Sequence, residues 1–94
     1  MITDIKNDNG YVLGYVEWRQ VGPSGFDVFK GEYIYLCNLW IHPDHRGKGL
    51  LQELIAKILM TAPEAKYAYF EREKYNNRMS KLYKRGSVER VVNV

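Results

Sequence analysis

The sequence predicts a mixed α/β (α+β) fold in which helices pack against one central sheet. Three observations carry this: a hairpin signature at the front, a long aromatic and branched apolar run in the middle, and a switch to helical period directly after it. The 94 residues suffice for one domain with one modest core, so residues 1–94 are read as a single unit. A composition of 46% apolar and 27% charged side chains is that of an ordinary folded chain, not a disordered or fibrous one.

Ile2 to Lys6 alternates loosely between apolar and polar residues and then meets Asn7-Asp8-Asn9-Gly10, a tight-turn signal. The returning strand, Tyr11 to Gln20, is rich in β-branched and aromatic residues, with Gly14 marking a bulge or a close approach. Gly22-Pro23-Ser24-Gly25 ends it, and Phe26 to Lys30 is a short strand or simply loop. The run Glu32 to Ile41 is the most buried strand. Its near-continuous apolarity predicts cover on both faces, with the lone Cys37 as a small core side chain.

Pro43 stops that strand, and Leu50, Leu51, Leu54, Ile55, Ile58 and Leu59 then recur at helical spacing. An amphipathic helix therefore runs from Gly47 to about Met60, and Thr61-Ala62-Pro63 closes it. Lys66 to Glu71 returns to strand alternation, with Tyr67, Tyr69 and Glu71 on one face. Asn76 or Asn77 caps a second helix to about Arg85, in which Met79, Leu82 and Tyr83 form an i, i+3, i+4 cluster and Gly86 offers a left-handed exit. Val88 to Val92 is the last strand. The expected order is β-β-β-α-β-α-β.

No apolar run approaches the roughly 20 residues that span a bilayer, and Met1-Ile2-Thr3-Asp4 lacks the build of a secretion signal, so a cytoplasmic protein without a membrane partner is expected. The charge of +3 is uneven. Residues 1–65 carry six Lys/Arg against eight Asp/Glu, and residues 66–94 carry eight against three. A basic end of this kind attracts phosphates or acidic surfaces without choosing among them.

The segment that carries chemistry is His42-Pro43-Asp44-His45-Arg46-Gly47-Lys48-Gly49-Leu50-Leu51, between the buried strand and the helix. Gly47 and Gly49 let several backbone amides turn toward one ligand, and the helix start adds partial positive charge, a design that suits a pyrophosphate. Leu50 follows Gly49 where a phosphate loop would offer a hydroxyl, and the third glycine of a dinucleotide fingerprint is missing, so nucleotide hydrolysis is disfavoured. His42 and His45 lack a completing ligand set, and no metal is expected.

Leu39-Trp40-Ile41-His42-Pro43 followed by Arg46-Gly47-Lys48-Gly49-Leu50-Leu51 resembles the acetyl-CoA-binding motif of the GNAT superfamily of N-acetyltransferases, Arg/Gln-x-x-Gly-x-Gly/Ala, with Leu51 in place of the usual Gly or Ala. Asn77-Arg78-Met79-Ser80-Lys81-Leu82-Tyr83-Lys84-Arg85-Gly86 resembles the family's later segment, although Ser87 replaces the aromatic residue that commonly follows the glycine. The resemblance implies a GNAT-like sheet lacking the usual first strand and two N-terminal helices. The acceptor side is then open, or filled by a homodimer partner, since exposed sheet edges favour pairing.

The resemblance further implies acetyl-CoA as co-substrate, held by Leu39, Trp40, Ile41, Arg46, Gly47, Lys48, Gly49, Leu50, Leu51 and Asn77. The pantetheine arm would enter where the strand splays at Leu39 to Ile41 from the strand Lys66 to Phe70, and a primary amine, on a small molecule or a protein lysine, would attack the thioester directly. Alignment of that kind is worth about 7–11 kcal/mol. Tyr83 matches the family tyrosine that gives a proton to the sulfur, the alternative being an aromatic packed on Met79. Glu32 stands where some members place the base, with a water chain or the Asn38 carbonyl as alternatives.

The competing expectation is a catalytically inactive GNAT-like module that binds CoA, protein or nucleic acid. Arg72, Lys74, Arg78, Lys81, Lys84, Arg85 and Arg90, interleaved with Tyr69, Phe70, Tyr75 and Tyr83, would form its basic surface. A solvated face that attracts CoA phosphates explains the same residues, so a nucleic-acid partner is disfavoured.

Overall fold

The computed structural model describes the backbone of residues 1–74 and 77–92, and the side chains of 1–70 and 82–88. Five strands, β1 (Ile2–Lys6), β2 (Val12–Val21), β3 (Tyr33–Ile41), β4 (Tyr67–Lys74) and β5 (Asn77–Lys84), lie in one sheet in sequence order. Helices α1 (Leu50–Thr61) and α2 (Arg85–Val92) pack on one face of it. Only β3 and β4 run parallel, and α1 is the crossover between them.

The front hairpin forms as expected. Asn7 closes it by accepting at Oδ1 from the amides of Asn9 and Tyr11, and Gly10 takes φ 85°. Gly14 is a close-approach point: a Cβ there would lie 2.9 Å from Ile41 Cδ1 and 3.2 Å from Leu50 Cδ2. Between Val21 and Tyr33 the chain is loop, with a single bridge from Val21 to Asp27. The α1 residues Leu54, Ile55, Ile58 and Leu59 are buried against Val16, Trp18, Ile34, Leu36 and Ala68 of the sheet, and Val88 of α2 completes this cluster.

Three expectations are corrected. Residues 77–84 form a strand and 85–92 a helix, the reverse of the expected order, so the observed sequence of elements is β-β-β-α-β-β-α. The reason is the demand of β4, which pairs with β3 over only three residues and satisfies its other edge by pairing with all eight residues of β5. The helical spacing of Met79, Leu82 and Tyr83 loses to that ladder, and Gly86 sits inside the first turn of α2, outside the left-handed region.

Next, β3 is covered on one face only. Ile34 and Leu36 are buried beneath the helices, while Tyr33, Tyr35 and Trp40 are half-exposed on the other face. Finally, Cys37 is exposed and lies outside the core. Glu17 pairs with Asn38 but Trp18 pairs with Leu36, so Cys37 is the extra residue of a β-bulge. The bulge turns Leu39 and Ile41, instead of Asn38 and Trp40, toward the helices.

Candidate active site

The loop after β3 is fastened at both ends. The His42 amide donates to the Leu13 carbonyl at 2.7 Å, and Arg46 Nε donates back to the Ile41 carbonyl at 3.1 Å. Pro43–His45 forms a 3₁₀ turn capped by His42, whose Nδ1 accepts from the Asp44 amide at 3.1 Å. Asp44 Oδ2 approaches the same atom at 3.8 Å.

Gly47 and Gly49 take φ of 75° and 80°, and a Cβ on either would meet open space. The glycines are needed here for their backbone conformation, and the face they turn outward is free for a ligand. Helix α1 begins at Leu50, three residues later than its periodicity suggests, because Gly49 serves as a left-handed N-cap. The first helical bond runs from the Glu53 amide to the Gly49 carbonyl, which leaves the amides of Leu50, Leu51 and Gln52 without helical acceptors. Ile41, His45, Arg46, Gly47, Gly49, Leu50, Leu51 and Gln52 line a cleft of about 420 Å³ over this turn. Lys48 is exposed in the same loop.

Beside the cleft the sheet opens. Pairing of β3 with β4 covers Tyr33 to Tyr35 against Tyr67 to Tyr69 and then stops, so β3 from Leu36 to Ile41 and β4 beyond Tyr69 diverge toward the loop. The splay expected at Leu39 to Ile41 is there on β3. On β4 the expected stretch Lys66 to Phe70 is mostly the paired part, and the gap lies past it. Leu39 and Ile41 pack toward the core, and Trp40 stacks on Tyr15 on the opposite face at 6.2 Å.

Tyr83 is on β5 opposite Ala68, on the helix side of the sheet, with its ring 6.3 Å from that of Phe70. With Gln52, Leu82, Lys84, Ser87 and Val88 it lines a second cleft, of about 320 Å³. Gln52 borders both clefts and so joins the glycine turn to Tyr83. Gln52 is not among the residues expected to hold the cofactor, although its place in the first turn after the glycine loop is a usable signal.

The structure does not bring Glu32 to this site. It precedes β3 at the end away from the loop, roughly 25–30 Å along the strand, and its carboxylate pairs with Lys66 Nζ at 3.3 Å on an exposed surface. Asn77 begins β5, and its side chain lies outside the described residues. The side chains of Arg72, Lys74, Tyr75, Arg78, Lys81 and Arg90, expected in a basic surface, also lie outside them. Arg85, from the same set, turns inward and binds carbonyls at the end of α1.

A family model described as the acetyltransferase (GNAT) family matches residues 2–87. The L-amino acid N-acyltransferase MnaT of Escherichia coli strain K12 is 33% identical over 58 residues, 58% of this chain and 30% of that protein. The L-methionine sulfoximine/L-methionine sulfone acetyltransferase of Salmonella typhimurium gives the same figures. The chain thus spans 30% of the length of both curated relatives. Among solved structures, the CoA complex of the Escherichia coli GNAT family N-acetyltransferase YhbS aligns with a TM-score of 0.55 at 24% identity, over 73% of this chain and 38% of that one. The GphF GNAT-like decarboxylase in complex with isobutyryl-CoA aligns at 0.56 and 13% identity, over 99% and 50%. At such identities these likenesses bear on the fold.

Proposed function

The chain belongs to the acetyltransferase (GNAT) family, and from that membership we propose that it transfers an acetyl group from acetyl-CoA to a primary amine by direct attack of the amine on the thioester. The observation that carries the reading is the splay of β3 from β4, which opens onto the glycine turn and the start of α1. An anionic head and a peptide-like arm on one ligand need these two features side by side.

The amides of residues 47 to 52, with the positive end of α1, take the diphosphate, and Arg46 and Lys48 add charge nearby. The backbone edge of β3 that β4 leaves unpaired from Leu36 onward, up to the Ile41 carbonyl already held by Arg46 Nε, meets the amides of the pantetheine arm as a neighbouring strand would. Leu39, Trp40 and Ile41 act there through their backbone. The arm is thereby led past Gln52 toward Tyr83, whose phenol gives a proton to the departing sulfur without first being ionised. The family's CoA-bound relative YhbS supports an acyl-CoA co-substrate.

The test is calorimetric titration with acetyl-CoA, followed by an assay of thiol release with a panel of amines. Saturable binding and amine-dependent release are expected. Lack of binding sinks the proposal, and binding without release by any amine turns the reading to a CoA-binding module.

A further inference from the structure

The face of the sheet turned away from α1 and α2 carries groups that loop and helix chemistry leave unused. Tyr15 and Trp40 stack at 6.2 Å, Tyr35 and Tyr69 meet at 5.3 Å, and Tyr33 lies on Tyr67 at 5.2 Å. Between the first two pairs stands Glu17. It is exposed between the buried Val16 and Trp18, so it projects from this face, and it pairs in register with Asn38 beside the Cys37 bulge.

That position is one strand, about 4.8 Å, from the edge along which β3 has released β4. Among the described residues Glu17 has no ion pair or hydrogen bond, whereas the neighbouring Arg19 is held by Asp27 at 3.4 Å and lies over the Tyr35 ring at 5.6 Å. Asp4, opposite Tyr15, adds a second carboxylate on the same face. A free carboxylate bordered by aromatic faces, one ring already holding a guanidinium, is a site for an organic cation.

On the acyl-transfer reading above, we infer that the acceptor is the ammonium of a lysine side chain on a peptide, delivered across this open face, and that Glu17 takes its proton. A free α-amino acid fits poorly, because its carboxylate would enter the field of Glu17 and Asp4 together with the amine. The aromatic surface, which spans β2, β3 and β4, offers a peptide contact on both sides of its lysine.

In the reaction Glu17 accepts one proton from the ammonium, directly or through one water. The freed lone pair forms the C–N bond while the C–S bond breaks, and the nitrogen loses its second proton to solvent. Tyr83 protonates the thiolate from the helix side and regains its proton from solvent, and Glu17 passes its proton on to solvent. One proton is released for each amide and each CoA thiol formed.

Glu17→Gln, Glu17→Asp and the wild-type chain are compared. Calorimetry with acetyl-CoA needs no acceptor, and no binding by the wild type overturns the acyl-transfer reading and this inference together. With binding in place, thiol release is followed for a lysine peptide, free L-methionine and 1,5-diaminopentane. The peptide is expected to exceed methionine by at least about tenfold in kcat/KM. E17Q should bind acetyl-CoA within about twofold of wild type and lose about a hundredfold in kcat/KM for the peptide, with E17D recovering most of the rate. An E17Q rate equal to wild type, or a preference for methionine or for the diamine over the peptide, overturns the inference while leaving acyl transfer intact.

Discussion

Arg85 Nη2 donates to the Leu59 carbonyl at 2.9 Å, and the same nitrogen reaches the Ala62 carbonyl at 2.8 Å while Nε holds the Ala65 carbonyl at 2.8 Å. One cation at the start of α2 therefore closes the end of α1, where carbonyls run out of helical partners and the helix dipole favours positive charge. Arg85→Met keeps the stem and removes the donors. Charged hydrogen bonds of this kind are worth about 1.5–3 kcal/mol, so a loss of about 2 kcal/mol in urea unfolding is expected, with Arg85→Lys recovering only part. A change below about 0.5 kcal/mol would mean that water replaces the guanidinium at no cost.

Gly14 links the sheet to the glycine turn. A methyl there would stand 3.1 Å from the Trp40 carbonyl oxygen as well as against Ile41 and Leu50, and the backbone contact cannot be relieved by a rotamer change. Gly14→Ala is expected to cost about 1–3 kcal/mol and to weaken acetyl-CoA binding, because relief requires moving β3 or the start of α1. Unchanged affinity in calorimetry together with unchanged stability would show that the two elements shift freely.

The strands β1 to β4 and helix α1 were legible because local pattern and tertiary demand agree there. The bulge was also written in the sequence, though less plainly. Ile34 and Leu36 share one phase of alternation and Leu39 and Ile41 the other, a slip that only an extra residue can absorb. Reading the run as uniformly apolar hid that slip, and with it the exposure of Cys37 and the open face around Glu17. The carboxy-terminal third was misread for a different reason: a three-residue helical cluster is a local signal, whereas the unpaired edge of β4 is visible only once the sheet exists. Glu32 was misplaced because its offset before the loop says nothing about which end of a nine-residue strand it occupies in space.

Leu51 sits where the family usually has a small residue, half-buried against the core and lining the glycine-turn cleft. Leu51→Ala removes contacts that matter to folding and bulk that faces the ligand. A loss of about 1–2 kcal/mol in stability, smaller than for a fully buried leucine, should accompany severalfold tighter acetyl-CoA binding. Weaker binding in calorimetry would assign the leucine to ligand packing instead.

Tyr83→Phe preserves the ring beside Phe70 and removes only the hydroxyl. If that hydroxyl protonates the leaving sulfur, turnover should fall by about a hundredfold while acetyl-CoA affinity stays within about twofold. A packing role predicts the opposite split, with stability affected and turnover preserved. The decisive comparison uses a second thioester whose leaving thiol is more acidic than CoA. A weaker base needs less help to depart, so the defect of the variant should shrink with that substrate. An equal defect on both thioesters would locate the hydroxyl's contribution in positioning, because only proton donation is sensitive to the basicity of the sulfur.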